Sequence, residues 1–62
     1  MKIKVLSPNL NVRMGPDKKY PVCGIVNQSS VYTIIDRQNN FGLLLSRAGW
    51  IDLSFCEEIE DS

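Results

Sequence analysis

Leu10-Asn11-Val12-Arg13-Met14-Gly15-Pro16 is the stretch on which the fold turns. Leu10, Val12 and Met14 recur with a period of two, so a strand here puts them on one face and sets Asn11 and Arg13 on the other. The strand then has to stop, because Pro16 has no N–H to give to a ladder and Gly15-Pro16 favours a turn. The result is a strand edge that displays polar groups at the mouth of a loop.

Outward from that stretch the pattern repeats. Residues 2–6 alternate, with Ile3 and Val5 on one face. On the other side, a loop containing Asp17, Lys18, Lys19 and Tyr20-Pro21 leads into a strand over 22–26. Val22, Gly24 and Val26 share one of its faces and Cys23 and Ile25 the other, with Gly24 expected to serve close strand packing. Residues 31–35, Val-Tyr-Thr-Ile-Ile, have the highest β-propensity in the chain, and Asn39-Asn40 supplies a tight turn after them. Phe41 opens a buried strand over 41–45, 46–48 form a short hairpin loop, 49–52 return as the last strand, and 53–56 make one short helical turn. No ten-residue window between the prolines and glycines sustains a helical period. The sequence therefore predicts an all-β chain of five to six short antiparallel strands. At 62 residues a small barrel is more economical than a sandwich.

Length and composition limit what such a barrel can do. One domain is the ceiling, and a chain this short buries only about 60% of the surface its unfolded form exposes. There is no histidine, which removes the usual general base, the usual partner of a nucleophile and most zinc-ligand sets. No catalytic residues, metal site or cofactor are expected. Seven basic and seven acidic side chains cancel, so the phosphate neutralisation behind nucleic-acid binding is not expected either. The charges are nonetheless segregated. All seven cations precede Ala48 while Asp52, Glu57, Glu58, Glu60 and Asp61 follow Trp50, so residues 1–50 hold seven cations against two acids, a net +5. Residues 57–62 read as an acidic tail and 1–56 as the domain. Cys23 and Cys56 stand too far apart, and too few, for a metal motif or a disulfide framework, and both are read as thiols. No apolar run is long enough for a membrane span or a signal-peptide core.

The string Leu10 to Pro16, followed by Tyr20, Val22 and Gly24, a hairpin with an aromatic at Phe41, and Gly49-Trp50-Ile51 near the end, resembles the bacterial Src-homology-3 (SH3b) domain. The resemblance spans roughly residues 2–56. It departs from the family pattern at Met14, where a small serine is common, at Ser29, where a glycine usually makes the turn, and at Phe41, where tryptophan is typical. It implies an SH3-like barrel. It also implies a non-catalytic module that binds peptidoglycan or another cell-wall polymer and holds an attached or associated catalytic domain, such as an amidase or muramidase of a phage endolysin or bacterial autolysin, on the wall. A lysin of that kind, with no signal peptide, would reach the wall from the host cytoplasm by holin-dependent release.

Asn11, Arg13, Asp17, Tyr20 and Trp50 are the candidate ligand-binding residues. All but Asp17 have a second reading. Asn11 can organise the loop through an Asx-type bond, and Arg13 can bond to loop carbonyls or to Asp17. Tyr20 either offers a ring for stacking or packs within the loop. Trp50 either floors a groove or closes the barrel; Tyr32 and Phe41 read as core. The alternative function is an intracellular SH3-type peptide-binding or oligomerisation module. Against an adaptor for Pro-rich peptides stands a loop that is basic, not acidic, at Lys18-Lys19. For weak homodimerisation stands the apolar run at 43–45, read as a strand edge.

Overall fold

Residues 1–59 are described by a computed structural model. Seven strands and one 3-10 turn follow in order: β1 (Lys2–Val5), β2 (Asn9–Arg13), β3 (Val22–Asn27), β4 (Val31–Gln38), β5 (Phe41–Leu44), β6 (Trp50–Asp52), the turn Leu53–Phe55, and β7 (Cys56–Ile59). All pairings are antiparallel, in the order β3-β2-β6-β5-β4-β1-β7. β4 joins the two halves: its first residues pair with β1, and its later ones pair with β5 beyond a bulge at Ile35. Bulges of this kind bend a strand and sharpen its twist.

The bend lets both ends of the sheet share one core. Ile3 and Val5 of β1 pack in the same cluster as Leu10 and Val12 of β2, Val26 of β3, Ile34 of β4, Leu44 of β5, Ile51 of β6 and Leu53. Tyr32 and Cys56 pack against its margin. Thus the alternation in β1 and β2 is the one a two-residue period demands. Met14 departs from it. β2 ends at Arg13, and Met14 lies outside with 65% of its surface exposed.

The turns use residues that tolerate the left-handed region. Asn39 (φ 51°) and Asn40 (φ 62°) form the two-residue loop between β4 and β5, the conformation that matches hairpin twist. Ser29, where the SH3b pattern favours glycine, has φ 71° in the turn between β3 and β4.

Three expectations need correction. Residues 57–59 are not tail but part of β7, which lies against the outer edge of β1 with Glu57 opposite Lys4 and Cys56 opposite Val5. Adjacent acids hide a strand from propensity, whereas the open edge of β1 and a lysine across the ladder favour it. Glu60, Asp61 and Ser62 lie outside the described residues. Residues 43–45 form no sheet edge, because β5 lies between β4 and β6. Gly24 is not required by close packing: a Cβ there would meet Val12 Cβ at an ordinary 3.7 Å.

Candidate ligand groove

Asn9, Asn11 and Arg13 alternate with buried Leu10 and Val12 along β2, which turns them to the outer face. Phe41 and Asp52 lie opposite each other on β5 and β6, and Phe55 ends the 3-10 turn. These residues, with Ser7, Leu10 and Lys18, line an open groove of about 190 Å³. Phe41 is its apolar floor, 5% exposed yet outside the central core cluster. Phe55, 47% exposed, is an aromatic wall.

The loop over 14–21 forms another side and is held from three directions. Arg13 Nη1 donates to the carbonyls of Lys18 and Tyr20, each at 2.9 Å. Asp17 accepts the Lys19 N–H on Oδ1 at 3.1 Å and Asn39 Nδ2 on Oδ2 at 3.1 Å; Asn39 Nδ2 also reaches the Pro16 carbonyl at 3.2 Å. Tyr20 lies over Gly15 so closely that a Cβ on that glycine would fall 2.5 Å from the ring. Lys19 Nζ sits 5.6 Å from the Tyr20 ring centroid, within cation–π range.

On the opposite side the 3-10 turn is fixed by its cap. Asp52 Oδ1 accepts the Ser54 N–H at 2.9 Å, and Asn40 Nδ2 donates to Ser54 Oγ at 2.8 Å. The Asn40 carbonyl accepts the Leu53 N–H at 3.0 Å. Behind the turn, burial and, secondarily, the nearby Asp52 charge push the Cys56 thiol up to about 11. The Cys56 S–H donates to the Asp52 carbonyl at 3.6 Å. Cys23 and Cys56 are both free thiols.

Of the five residues proposed from sequence, Asn11 and Arg13 line the groove and Asp17, Tyr20 and Trp50 do not. Asn11 is exposed, and its carboxamide has no hydrogen-bond partner among the described residues, so the loop-organising bond is not made. Arg13 takes its loop-carbonyl role. Asp17 uses both oxygens as a brace, and Tyr20 packs within the loop. Trp50 is half-buried, opposite Arg13 on one side and Leu43 on the other, and the groove floor is Phe41.

Phe41, read as core, is therefore both buried and groove-lining, and Ser7, Asn9, Leu10, Lys18, Asp52 and Phe55 line the groove although none is among the five candidates. Asn9 was within reach of the period-two pattern, which places it with Asn11 and Arg13. Phe55 was not, because its position depends on where a short turn meets β2. Among the described residues, no three His, Cys, Asp or Glu side chains gather where they could hold a metal ion, and no helix is long and apolar enough to cross a membrane. Comparison with protein-family models, curated proteins and solved structures gives no match.

Proposed function

We propose that the chain is a non-catalytic cell-wall-binding module of the SH3b type, which keeps an attached or associated peptidoglycan hydrolase on its substrate. The reading rests on one observation: the unengaged carboxamide of Asn11 stands beside an aromatic floor and wall, Phe41 and Phe55. A carboxamide both donates and accepts, so it can bond a peptide or acetamido group while the rings cover the adjacent apolar part. Lys18 at the rim adds a cation suited to the carboxylates and phosphates of a bacterial wall. At about 190 Å³ the groove is smaller than the roughly 300–1,000 Å³ usual for drug-sized ligands. It suits one or two units of a polymer, and repeated units on a wall compensate for weak single contacts.

The test is co-sedimentation with washed sacculi from a Gram-positive host. Wild-type chain pellets with sacculi, shows no retention by duplex DNA at physiological salt, and does not clear a turbid wall suspension between about pH 5 and 9, the range over which side-chain acid–base groups would act. Asn11→Ala and Phe55→Ala, both at exposed positions, lose most of the binding while unfolding at the wild-type temperature. Normal pelleting by both folded variants would move the ligand away from this groove. Binding to Pro-rich peptides with none to sacculi would favour the adaptor reading.

A further inference from the structure

We propose that two copies of this chain pair through β3, edge to edge and antiparallel about a two-fold axis at Ile25, into one continuous sheet. β3 and β7 are the two ends of the strand order, and they differ in kind. From Tyr20 to Ile35 the chain has no charged residue, so two β3 strands meet without like charges. β7 has exposed Glu57 and Glu58, and pairing with its own copy would bring acids together, which is unfavourable.

The ladder also sets which backbone groups β3 offers. The Gln28 N–H donates to the Pro8 carbonyl at 3.4 Å, and Asn9 lies opposite Asn27. An antiparallel ladder alternates, so Leu10 with Val26 and Val12 with Gly24 are the pairs that exchange bonds. The N–H and C=O of Ile25 therefore face the open edge, and its side chain is 61% exposed. Two such residues across a two-fold exchange a pair of N–H···O=C bonds and bring their side chains together on the outer face. Natural edges are usually blunted with charge, proline or a bulge. Here Pro21 and the bulge at Cys23 confine regular pairing to the residues on either side of Ile25, Gly24 to Val26, and leave Ile25 unguarded. A second copy suits the edge because each brings the same uncharged strand and the same outward Ile25 groups.

A two-fold normal to the sheet leaves both outer faces on one side. Asn11 lies opposite Ile25, so the two β2 strands stand three strand spacings apart, about 14 Å. Resting on the function proposed above, both grooves would then meet one wall surface together.

Sedimentation equilibrium of the full chain over a dilution series reaching millimolar tests the pairing without any wall ligand, so its outcome is independent of sacculus binding. The weight-average mass should rise from the 7.0 kDa of one chain towards about 14 kDa, and no further, since a two-fold contact closes. Protection of the Ile25 amide against hydrogen exchange should rise over the same range. Ile25→Lys should hold the mass at 7.0 kDa with an unchanged melting temperature, and Glu58→Lys on the other edge should leave association as in the wild type. A wild-type chain that stays at 7.0 kDa throughout, association that survives Ile25→Lys or stops with Glu58→Lys, or growth past the dimer would overturn the proposal. So would a monomer whose Ile25 amide is protected only when an unrelated extended peptide is added, which would give the edge to a foreign strand.

Discussion

Replacing Gly49 by alanine should remove much of the stability of this domain, and the structure says by how much. Gly49 is buried and has φ +154°, where side chains are strained. A Cβ there would lie 2.6 Å from the Arg13 carbonyl oxygen, 2.6 Å from Val12 Cγ1 and 3.2 Å from Cys23 Sγ. The Arg13 oxygen belongs to the β2 backbone and cannot swing aside as a side chain could. Overpacking a tight site costs about 1–3 kcal/mol, and an unfavourable backbone region about 1–3 kcal/mol more. The loss is therefore about 2–6 kcal/mol, against roughly 3–9 kcal/mol for a domain of this length at ordinary per-residue stability. Urea unfolding followed by fluorescence of Trp50, the neighbouring residue and sole tryptophan, reads the change. The midpoint should fall sharply, and the melting temperature by at least about 8 °C at roughly 4–8 °C per kcal/mol. Gly24→Ala is the control, with its added Cβ in ordinary contact at 3.7 Å and an expected change within about 0.5 kcal/mol. A Gly49→Ala protein within about 1 kcal/mol of wild type, well below the summed costs, would refute the reasoning, as would an equal loss from both substitutions.

Arg13→Ala removes the donor shared by the Lys18 and Tyr20 carbonyls; about 1–2 kcal/mol of stability should go, and trypsin should cut faster after Lys18 and Lys19. An unchanged cleavage rate would show that the loop is held without it. Folding keeps the Cys56 proton bound more tightly, raising the thiol from 9.0 to about 11. Between those values the unfolded chain has lost protons that the folded one retains, so stability is full below about pH 9 and falls as pH rises towards 11. In denaturation measured across that window, Cys56→Ala should flatten the decline relative to wild type, and an identical slope would contradict the assignment. At pH 8 iodoacetamide should label exposed Cys23 ahead of half-buried Cys56, with peptide mass spectrometry as the readout; equal rates would show that Cys56 is not shielded.

Much of this chain is legible in one dimension because its strands are written locally. A two-residue period decides which side chains of β1 and β2 face inward whatever the strands pair with, so Ile3, Val5, Leu10 and Val12 could be named as core from sequence and are all buried. Asn39-Asn40 states its turn in the same way, through residues that accept a positive φ. Asn11 and Arg13 follow from that period as outward residues, and both reach the groove.

What only the tertiary structure decided depends on strand order, which no local pattern encodes. Cys-Glu-Glu-Ile becomes β7 because β1 has an open edge with Lys4 opposite Glu57. The apolar run at 43–45 is interior because β6 returns beside β5. Gly24 and Gly49 both sit beside Val12, yet only Gly49 lies under a backbone oxygen in a positive-φ conformation. The groove itself joins β2 to Phe41, Asp52 and Phe55, residues some 30 to 45 positions away in the chain. Which of two readings holds for Arg13 or Tyr20, and that Asp17 serves as a brace, also turns on how the loop over 14–21 folds onto Asn39 and β2. Sterics and hydrophobic period act within a few residues, whereas a site assembled from distant strands exists only once their pairing has set which faces meet.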